Sequence, residues 1–143
     1  MRKPSTEAET VADALFEAIE SGDFAGAEAL YDPDIGIWHN FSRAVQNKAT
    51  NLEVLRQSRK AYEMSYEITD RIVSGDRVIQ QHTLTTRLPD GQTFVLPAAI
   101  FITVRDGLIT RIEEYLDTGQ VNAMRAAAGR ERVASNVGGI EST

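Results

Sequence analysis

Residues 107–117 read Gly-Leu-Ile-Thr-Arg-Ile-Glu-Glu-Tyr-Leu-Asp, a turn glycine followed by a strand that carries several acidic side chains. Successive side chains of a strand point to opposite faces. Glu114 is therefore predicted to lie on the face opposite to Glu113 and Tyr115. The turn Arg-Asp-Gly at 105–107 joins this strand to the preceding one as a hairpin.

Three earlier strands complete the second half of the chain. They are predicted at 66–73, 78–87 and 93–104, with turns at Ser74-Gly75-Asp76 and Leu88-Pro89-Asp90-Gly91. Four strands joined by tight turns indicate an antiparallel meander. Pro97 lies inside the long third strand, where a proline requires an edge position or a bulge that bends the sheet.

The first half of the chain has mostly helical spacing of its apolar residues. A helix that begins near residue 6, capped by Ser5 or Thr6, and a shorter helix over 24–30 are predicted. A turn at 31–34 contains Pro33, which disfavours helix before it. The next segments are a short strand at 35–41, a loop at 42–48, and a third helix over about 50–61 capped by Thr50 or Asn51.

The length of the chain indicates how many domains it contains. With 143 residues, a single domain is predicted over 6–128. Residues 1–5 are expected to be disordered. A last helix begins after Thr118 and ends near Gly129, and 129–143 is expected to be a flexible tail.

The net charge and the amino-acid composition exclude several classes of binding partner and of chemical site. The net charge of −6, with Lys and Arg scattered singly, argues against nucleic-acid binding. There is no cysteine, which excludes disulfides, thiolate metal sites and a cysteine nucleophile. The sequence shows no secretory signal and no apolar run long enough to span a membrane, so a cytoplasmic protein is expected.

Two stretches and the order of elements are similar to a known superfamily. They are 107–117 and Leu30-Tyr31-Asp32-Pro33-Asp34-Ile35-Gly36-Ile37-Trp38-His39-Asn40. Together they resemble the nuclear-transport-factor-2-like superfamily, and within it the SnoaL-like branch, which includes polyketide cyclases. Ketosteroid isomerase, scytalone dehydratase and limonene epoxide hydrolase are relatives.

The resemblance implies a cystatin-like α+β roll, in which three N-terminal helices wrap a cone-shaped, curved antiparallel sheet. It also implies a mostly apolar pocket that holds a small apolar molecule, and a homodimer formed through the outer face of the sheet. His39 falls where the isomerases place their general-base aspartate, and Asp117 falls at the aspartate that ends the last strand of SnoaL-like proteins. The epoxide hydrolases use an Asp-Arg-Asp group; Gln81, Thr83 and Glu114 fall at those positions, so that activity is not expected.

The residues themselves suggest acid–base chemistry. His39 and His82 are the only histidines, and histidine is the side chain most easily tuned to transfer protons near neutral pH. The alternative is that each is a half-buried strand histidine bonded to a neighbour. Strand alternation means that either His39 faces the pocket, or Trp38 and Asn40 do; core packing is the structural alternative for Trp38.

The end of the last strand could supply a carboxylate. Burial in an apolar pocket would raise the pKa of an inward carboxyl group and make it a usable acid or base. For Asp117, the alternative is capping of the C-terminal helix. Tyr31, Tyr115 and Phe101 are the remaining candidates for contacts with a ligand, and the tyrosines could donate hydrogen bonds to an oxyanion.

These observations lead to one hypothesis and two rivals. The hypothesis is an enzyme without cofactor or metal that abstracts a proton next to a carbonyl group of a small apolar compound, in an isomerisation, cyclisation or dehydration. His39 or Asp117 would be the base, while His82 and a tyrosine or Asn40 would stabilise the oxyanion. Trp38, Asn40, Glu114, Tyr115, Phe101 and Tyr31 would contact the substrate. The rivals are a non-catalytic binding module for an apolar small molecule and an accessory domain whose pocket is filled by side chains.

Overall fold

Four helices and six strands follow one another in the computed structural model, which describes residues 6–138. In chain order they are α1 (Glu7–Ser21), α2 (Phe24–Leu30), β1 (Tyr31–His39), β2 (Val45–Gln46), α3 (Lys48–Ala61), β3 (Glu63–Ser74), β4 (Arg77–Arg87), β5 (Thr93–Arg105), β6 (Leu108–Leu116) and α4 (Thr118–Gly138). The predicted α+β class is confirmed.

All six strands belong to one open sheet with the order β2-β1-β6-β5-β4-β3. The meander from β3 to β6 is antiparallel, as predicted. However, β1 pairs with β6 in parallel, so the sheet is mixed and the prediction of an antiparallel sheet is wrong at this point. Hairpin turns impose antiparallel pairing only on consecutive strands. The direction of β1 against β6 depends on the path of the intervening chain.

Helix α1 lies against the inner face of the sheet and supplies much of the core. Thr6 caps it, because its Oγ1 accepts a hydrogen bond from the Glu9 backbone N–H at 3.1 Å. Gly22 ends the helix in the left-handed conformation, with φ 74°. Its predicted apolar stripe is buried, including Leu15 and Phe16.

Strand β1 begins four residues earlier than the sequence predicted. The structure places Tyr31 in the strand, where a proline-containing turn was expected. The strand tolerates Pro33 because its pairing with β6 is irregular between Tyr31 and Gly36. Within that irregular segment Asp32 Oδ1 accepts a hydrogen bond from the Asp34 N–H at 2.8 Å. The proline ring therefore occupies a position that needs no ladder hydrogen bond.

The third helix also begins earlier than predicted. Asn47 is its cap, since Asn47 Oδ1 accepts a hydrogen bond from the Thr50 N–H at 2.9 Å. The predicted caps Thr50 and Asn51 are therefore inside the helix, and Asn51 is buried. The preceding loop contains the short strand β2, which pairs with β1.

Pro97 lies in a strand that has neighbours on both sides, but only one of them reaches it. Its pairing with Thr83 of β4 is continuous, whereas pairing with β6 stops one residue later in β5, at Ala98. The missing N–H therefore does not interrupt the β6 ladder. Of the two alternatives predicted for Pro97, the structure shows no bulge at this residue, since the pairing of β5 with β6 shifts only between Thr103 and Val104.

At the C-terminus, α4 continues through Gly129 to Gly138. A glycine inside a helix is tolerated at a modest free-energy cost, so the predicted end of the helix is wrong. The predicted disorder of 1–5 and the last part of the predicted tail, 139–143, lie outside the described residues. Between residues 6 and 138, no helix is both long and apolar enough to cross a membrane.

Candidate active site

A cavity of ≈ 190 Å³ lies between the inner face of the sheet and helices α1, α3 and α4. Most of its wall is apolar, with side chains such as Leu15, Ile37 and Ile100. Polar side chains interrupt this wall at a few points, and among them are the carboxylate of Glu114 and the imidazole of His39. A mostly apolar cavity with a few converging polar groups is typical of a small-molecule site.

The carboxylate of Glu114 contacts both histidines of the chain. Its Oε1 lies 3.3 Å from His39 Nε2, and its Oε2 lies 3.1 Å from His82 Nε2. The side chain of Glu114 is only 12 % exposed, that of His39 17 % and that of His82 0 %. One carboxylate oxygen is therefore directed at each imidazole, in a site largely shielded from water.

The sheet explains how three residues from distant parts of the sequence meet. The parallel pairing of β1 with β6 places His39 directly beside Glu114. His82 is on β4, separated from β6 by β5. The residue opposite His82 on β5 is Ala98, whose small side chain leaves space for the imidazole and the carboxylate to meet over the intervening strand.

The electrostatic state of Glu114 differs from the prediction. Burial favours the protonated form and raises its pKa, but hydrogen bonding and attraction from His39 and His82 outweigh burial, so the pKa of Glu114 lies below its ordinary value of 4.5. The predicted rise in the pKa of an inward carboxyl group is therefore wrong, because desolvation is offset by two imidazoles. Glu114 is an anion at neutral pH.

The two histidines have different surroundings. The ring of His82 is packed edge-on against Phe16 and Tyr66, at centroid distances of 5.6 and 5.2 Å. The ring of His39 stacks on Phe41 at 5.1 Å and lines the cavity. His39 is therefore the histidine that a ligand in the cavity would contact.

A second set of polar side chains lines the cavity, and it consists of Tyr31 on β1, Gln46 on β2 and Asn51 on α3. Tyr31 donates a hydrogen bond to Asn51 Oδ1, and Asn51 donates one to Gln46 Oε1, both at 2.8 Å. Burial, followed by the negative charge of Glu114, raises the pKa of Tyr31 well above its ordinary value. Tyr31 is therefore a neutral phenol, and its hydroxyl holds α3 against β1.

Three predicted ligand contacts lie on the outer face of the sheet instead. Trp38, Tyr115 and Phe101 form an aromatic cluster there, with centroid distances of 5.1 Å between Trp38 and Tyr115 and 6.2 Å between Phe101 and Tyr115. They alternate with inward residues of their strands, so the prediction that they contact a ligand in the cavity is corrected. The homodimer through this face stays a prediction.

The position of the polar residues on β4 is also corrected. Gln81 and Thr83 point outward, whereas Gln80 and His82 are buried on the inner face. The gap-free alignment that compared Gln81 and Thr83 with the epoxide-hydrolase group was therefore displaced by one residue in this strand.

Two further predicted site residues have structural contacts. Asp117 is exposed and caps α4, because its Oδ1 accepts a hydrogen bond from the Gln120 N–H at 3.1 Å. The structure thus gives it the capping role that was the alternative to catalysis. Asn40 forms two hydrogen bonds with the backbone of Leu116. Its side-chain amide nitrogen donates to the Leu116 carbonyl at 3.1 Å, and its amide oxygen accepts from the Leu116 N–H at 2.9 Å.

We expect Asn40→Ala to lower the free energy of unfolding by about 1–3 kcal/mol, because it leaves two partly buried backbone groups of Leu116 without their partner. Urea unfolding followed by tryptophan fluorescence measures this. Asn122→Ala, an exposed asparagine on α4, is the matched control and should change stability by less than about 0.5 kcal/mol. Equal effects of the two variants would contradict a stabilising role for the two hydrogen bonds between Asn40 and Leu116.

Three polar residues near the site were missed by sequence reasoning: Gln80, Asn51 and Arg71. Gln80 was one residue away from the position considered, and Asn51 was assigned to a cap. Arg71 follows an irregularity in β3 that no sequence signal marked. Among the described residues, no group of three or more His, Asp or Glu side chains is arranged to hold a metal ion.

Comparison with solved structures gives the same architecture. IdmH from Streptomyces antibioticus, a proposed polyketide cyclase, matches with a TM-score of 0.74 and 20 % identity over 85 % of this chain and 99 % of IdmH. An LEH-like epoxide hydrolase from M. tuberculosis matches with a TM-score of 0.72 and 21 % identity over 93 % and 97 % of the two chains. An NTF2-like protein from Burkholderia xenovorans LB400 matches with a TM-score of 0.71 and 25 % identity over 85 % and 97 %.

At identities of 20 and 21 %, the first two similarities show a shared fold only. No curated protein sequence matched the chain significantly. The sequence model of the SnoaL-like domain matches residues 12–112, which is more than half of the chain. That segment contains both histidines, and it leaves out the beginning of α1, the end of β6 with Glu114, and α4. The chain therefore belongs to the SnoaL-like domain family.

Proposed function

We propose that this protein is an acid–base enzyme that needs no cofactor and removes a proton next to the carbonyl group of a small, mostly apolar compound. The observation that carries the proposal is the contact of His39 Nε2 with the Glu114 carboxylate, 3.3 Å apart, at the wall of an apolar cavity. A histidine oriented by a buried carboxylate is a common general base.

The mechanism follows from the two protonation sites of His39. When neutral His39 directs its Nε2–H at Glu114, the lone pair is on Nδ1. Nδ1 takes the proton from the carbon beside the carbonyl group, and the electron pair of that C–H bond moves toward the carbonyl oxygen. The resulting imidazolium is stabilised by the Glu114 anion. Returning the proton to another carbon completes an isomerisation, and delivering it to a departing hydroxyl group completes a dehydration.

The developing enolate oxygen needs a hydrogen-bond donor. His82 and Asn40, which were considered for this role, are already bonded to Glu114 and Leu116. Tyr62 lines the same cavity as His39 and carries a hydroxyl group. We therefore assign the donor role to Tyr62 in this proposal.

One observation favours proton abstraction over epoxide hydrolysis. The inward polar residues of the two strands are Gln80, His82 and Thr86 on β4 and Glu114 on β6. Glu114 is the one carboxylate among them, whereas the epoxide-hydrolase group named above has two.

Deuterium exchange tests the proposal without knowledge of the natural substrate. Apolar cyclic ketones are incubated in D₂O with the protein and no added metal or cofactor, and the loss of the proton signal next to the carbonyl group is followed by NMR. We expect at least one ketone of the panel to exchange faster than its rate without protein. Ketones that bind without any exchange would instead support the binding-module alternative.

A variant distinguishes between the two bases that the sequence allowed. Asp117→Asn keeps a side-chain oxygen to cap α4 but removes the carboxylate. We expect it to retain wild-type exchange. Loss of exchange in this variant would move the base to Asp117 and contradict the assignment to His39.

A further inference from the structure

We propose that Arg71 and Gln80 are positioning residues, which hold His82 in one neutral tautomer and leave His39 as the only histidine able to take up a proton. The statement about His82 stands on its own geometry. Its consequence for His39 rests on the proposed function.

Arg71 fixes the orientation of the Gln80 amide. Gln80 Oε1 accepts hydrogen bonds from Arg71 Nε at 2.9 Å and from Arg71 Nη2 at 2.6 Å. A guanidinium group carries only donors and stays charged, so it must face the amide oxygen. Asp13 of α1 contacts the same nitrogen, Arg71 Nη2, at 2.8 Å, and the Arg71 side chain is 14 % exposed.

The orientation of Gln80 then determines the tautomer of His82. With its oxygen toward Arg71, Gln80 presents its NH₂ group to His82 Nδ1, which lies 3.0 Å away. An amide nitrogen can only donate, so Nδ1 must accept and carries no proton. The proton of the neutral ring is therefore on Nε2, which donates to Glu114 Oε2 at 3.1 Å.

Charging His82 would require breaking this arrangement. A second proton on Nδ1 would face the Gln80 donor, and turning the amide would place its NH₂ group against Arg71. The Glu114 anion would favour a charged ring, but it faces Nε2 and offers no acceptor to a proton on Nδ1. The phenol of Tyr66 and the ring of Phe16 pack against the sides of the ring, and two acidic residues of α1, Glu9 and Asp13, contact Arg71.

An irregularity in β3 brings Arg71 to this place. The pairing of β3 with β4 shifts between Ile68 and Asp70. Before the shift, even-numbered residues such as Tyr66 face inward; after it, Arg71 is paired with the inward Gln80. Without the extra residue, Arg71 would lie on the outer face.

The two histidines therefore have unequal roles. His82 occupies one oxygen of Glu114 as a fixed neutral donor, and this keeps the other oxygen directed at His39. Any positive charge formed during proton transfer is confined to His39, at the cavity wall.

Nitrogen-15 NMR of the imidazole rings tests the tautomer directly. With only two histidines in the sequence, His39→Asn leaves one imidazole and assigns its signals. We expect His82 Nδ1 to show the shift of an unprotonated ring nitrogen and Nε2 that of a protonated one. The opposite pattern, or a ring protonated on both nitrogens at neutral pH, would overturn the proposal.

A variant of Gln80 tests whether the Gln80 amide determines the tautomer of His82. In Gln80→Glu, the carboxylate can accept from Arg71 and from His82 Nδ1–H at once, so we expect Nδ1 to become protonated and its signal to move to the protonated position. The matched control is Gln81→Glu, which places the same charge one residue away on the outer face and should leave the spectrum unchanged. An unchanged His82 in folded Gln80→Glu would overturn the role of Gln80.

If Gln80→Glu does not fold, the wild-type spectrum still decides the tautomer. The NMR result is also independent of any ketone turnover. A protein with the expected His82 tautomer but no exchange would contradict the proposed function alone.

Discussion

We expect His39→Ala to lower the rate of deuterium exchange on any ketone that the wild-type protein accepts by about 10²–10⁴-fold, the usual contribution of a general base. The variant retains the apolar cavity and the Glu114 anion, but no group in contact with the cavity can then store the proton as an imidazolium. The measurement is the initial exchange rate by NMR at saturating ketone.

Two variants show whether such a loss is specific. His39→Asn keeps a side-chain donor that can face Glu114 but cannot take up a proton, so it should be as slow as the alanine variant. Trp38→Phe changes the adjacent residue on the outer face and should retain exchange within about threefold. If His39→Asn exchanges ketones at the wild-type rate, His39 is not the base.

Glu114→Gln should have the second large effect, on both exchange and stability. The amide presents only one acceptor where the carboxylate presents two, so one imidazole loses its partner in a nearly closed site. We expect the free energy of unfolding to fall by about 1–3 kcal/mol at neutral pH. Exchange should also fall by about 10²-fold or more, because the imidazolium of His39 loses its counter-charge.

The lowered pKa of Glu114 also determines the direction in which the stability of the protein changes with pH. The pKa of Glu114 is lowered in the folded protein from its ordinary value of 4.5. Its contribution to stability is therefore fully present above 4.5 and is lost as the pH falls through the lower, folded-state pKa. Wild-type stability should decline over this acidic range more steeply than that of Glu114→Gln, as measured by urea unfolding at a series of pH values.

The neighbouring glutamate provides the matched control. Glu113 is on the outer face of the same strand, and its side chain and that of its partner Arg111 are 39 % and 40 % exposed. Glu113→Gln should cost about 0–1 kcal/mol and leave the steepness of the acidic decline unchanged. Equal effects of Glu113→Gln and Glu114→Gln would mean that the site carboxylate has no special environment.

The second half of the fold was predictable because its signals are local. The glycines of the hairpin turns, Gly75 and Gly107, have positive φ values of 59° and 78°, and they separate strands whose side chains alternate. That alternation correctly set Glu114 apart from Glu113. It left open whether His39 or Trp38 faces inward, because both choices keep the alternation.

The features that could not be predicted depend on contacts between residues that are far apart in the sequence. The parallel direction of β1 and the irregularity in β3 are decided by tertiary packing. The resemblance placed polar partners at Gln81 and Thr83, and a displacement of one residue exchanged these outward side chains for Gln80 and His82. The pKa of Glu114 could not be judged without knowing that two imidazoles reach it.

The pairing of β1 with β6 also has a consequence for how the protein is made. Asn40 and Leu116, which join the ends of these strands, are 76 positions apart, so β3 to β6 must all leave the ribosome before β1 can pair with β6. Contacts of such long sequence separation form late in folding. We expect nascent chains that stop before residue 108 to contain His39 without its carboxylate partner, so chemical competence arises only after β6 has been synthesised.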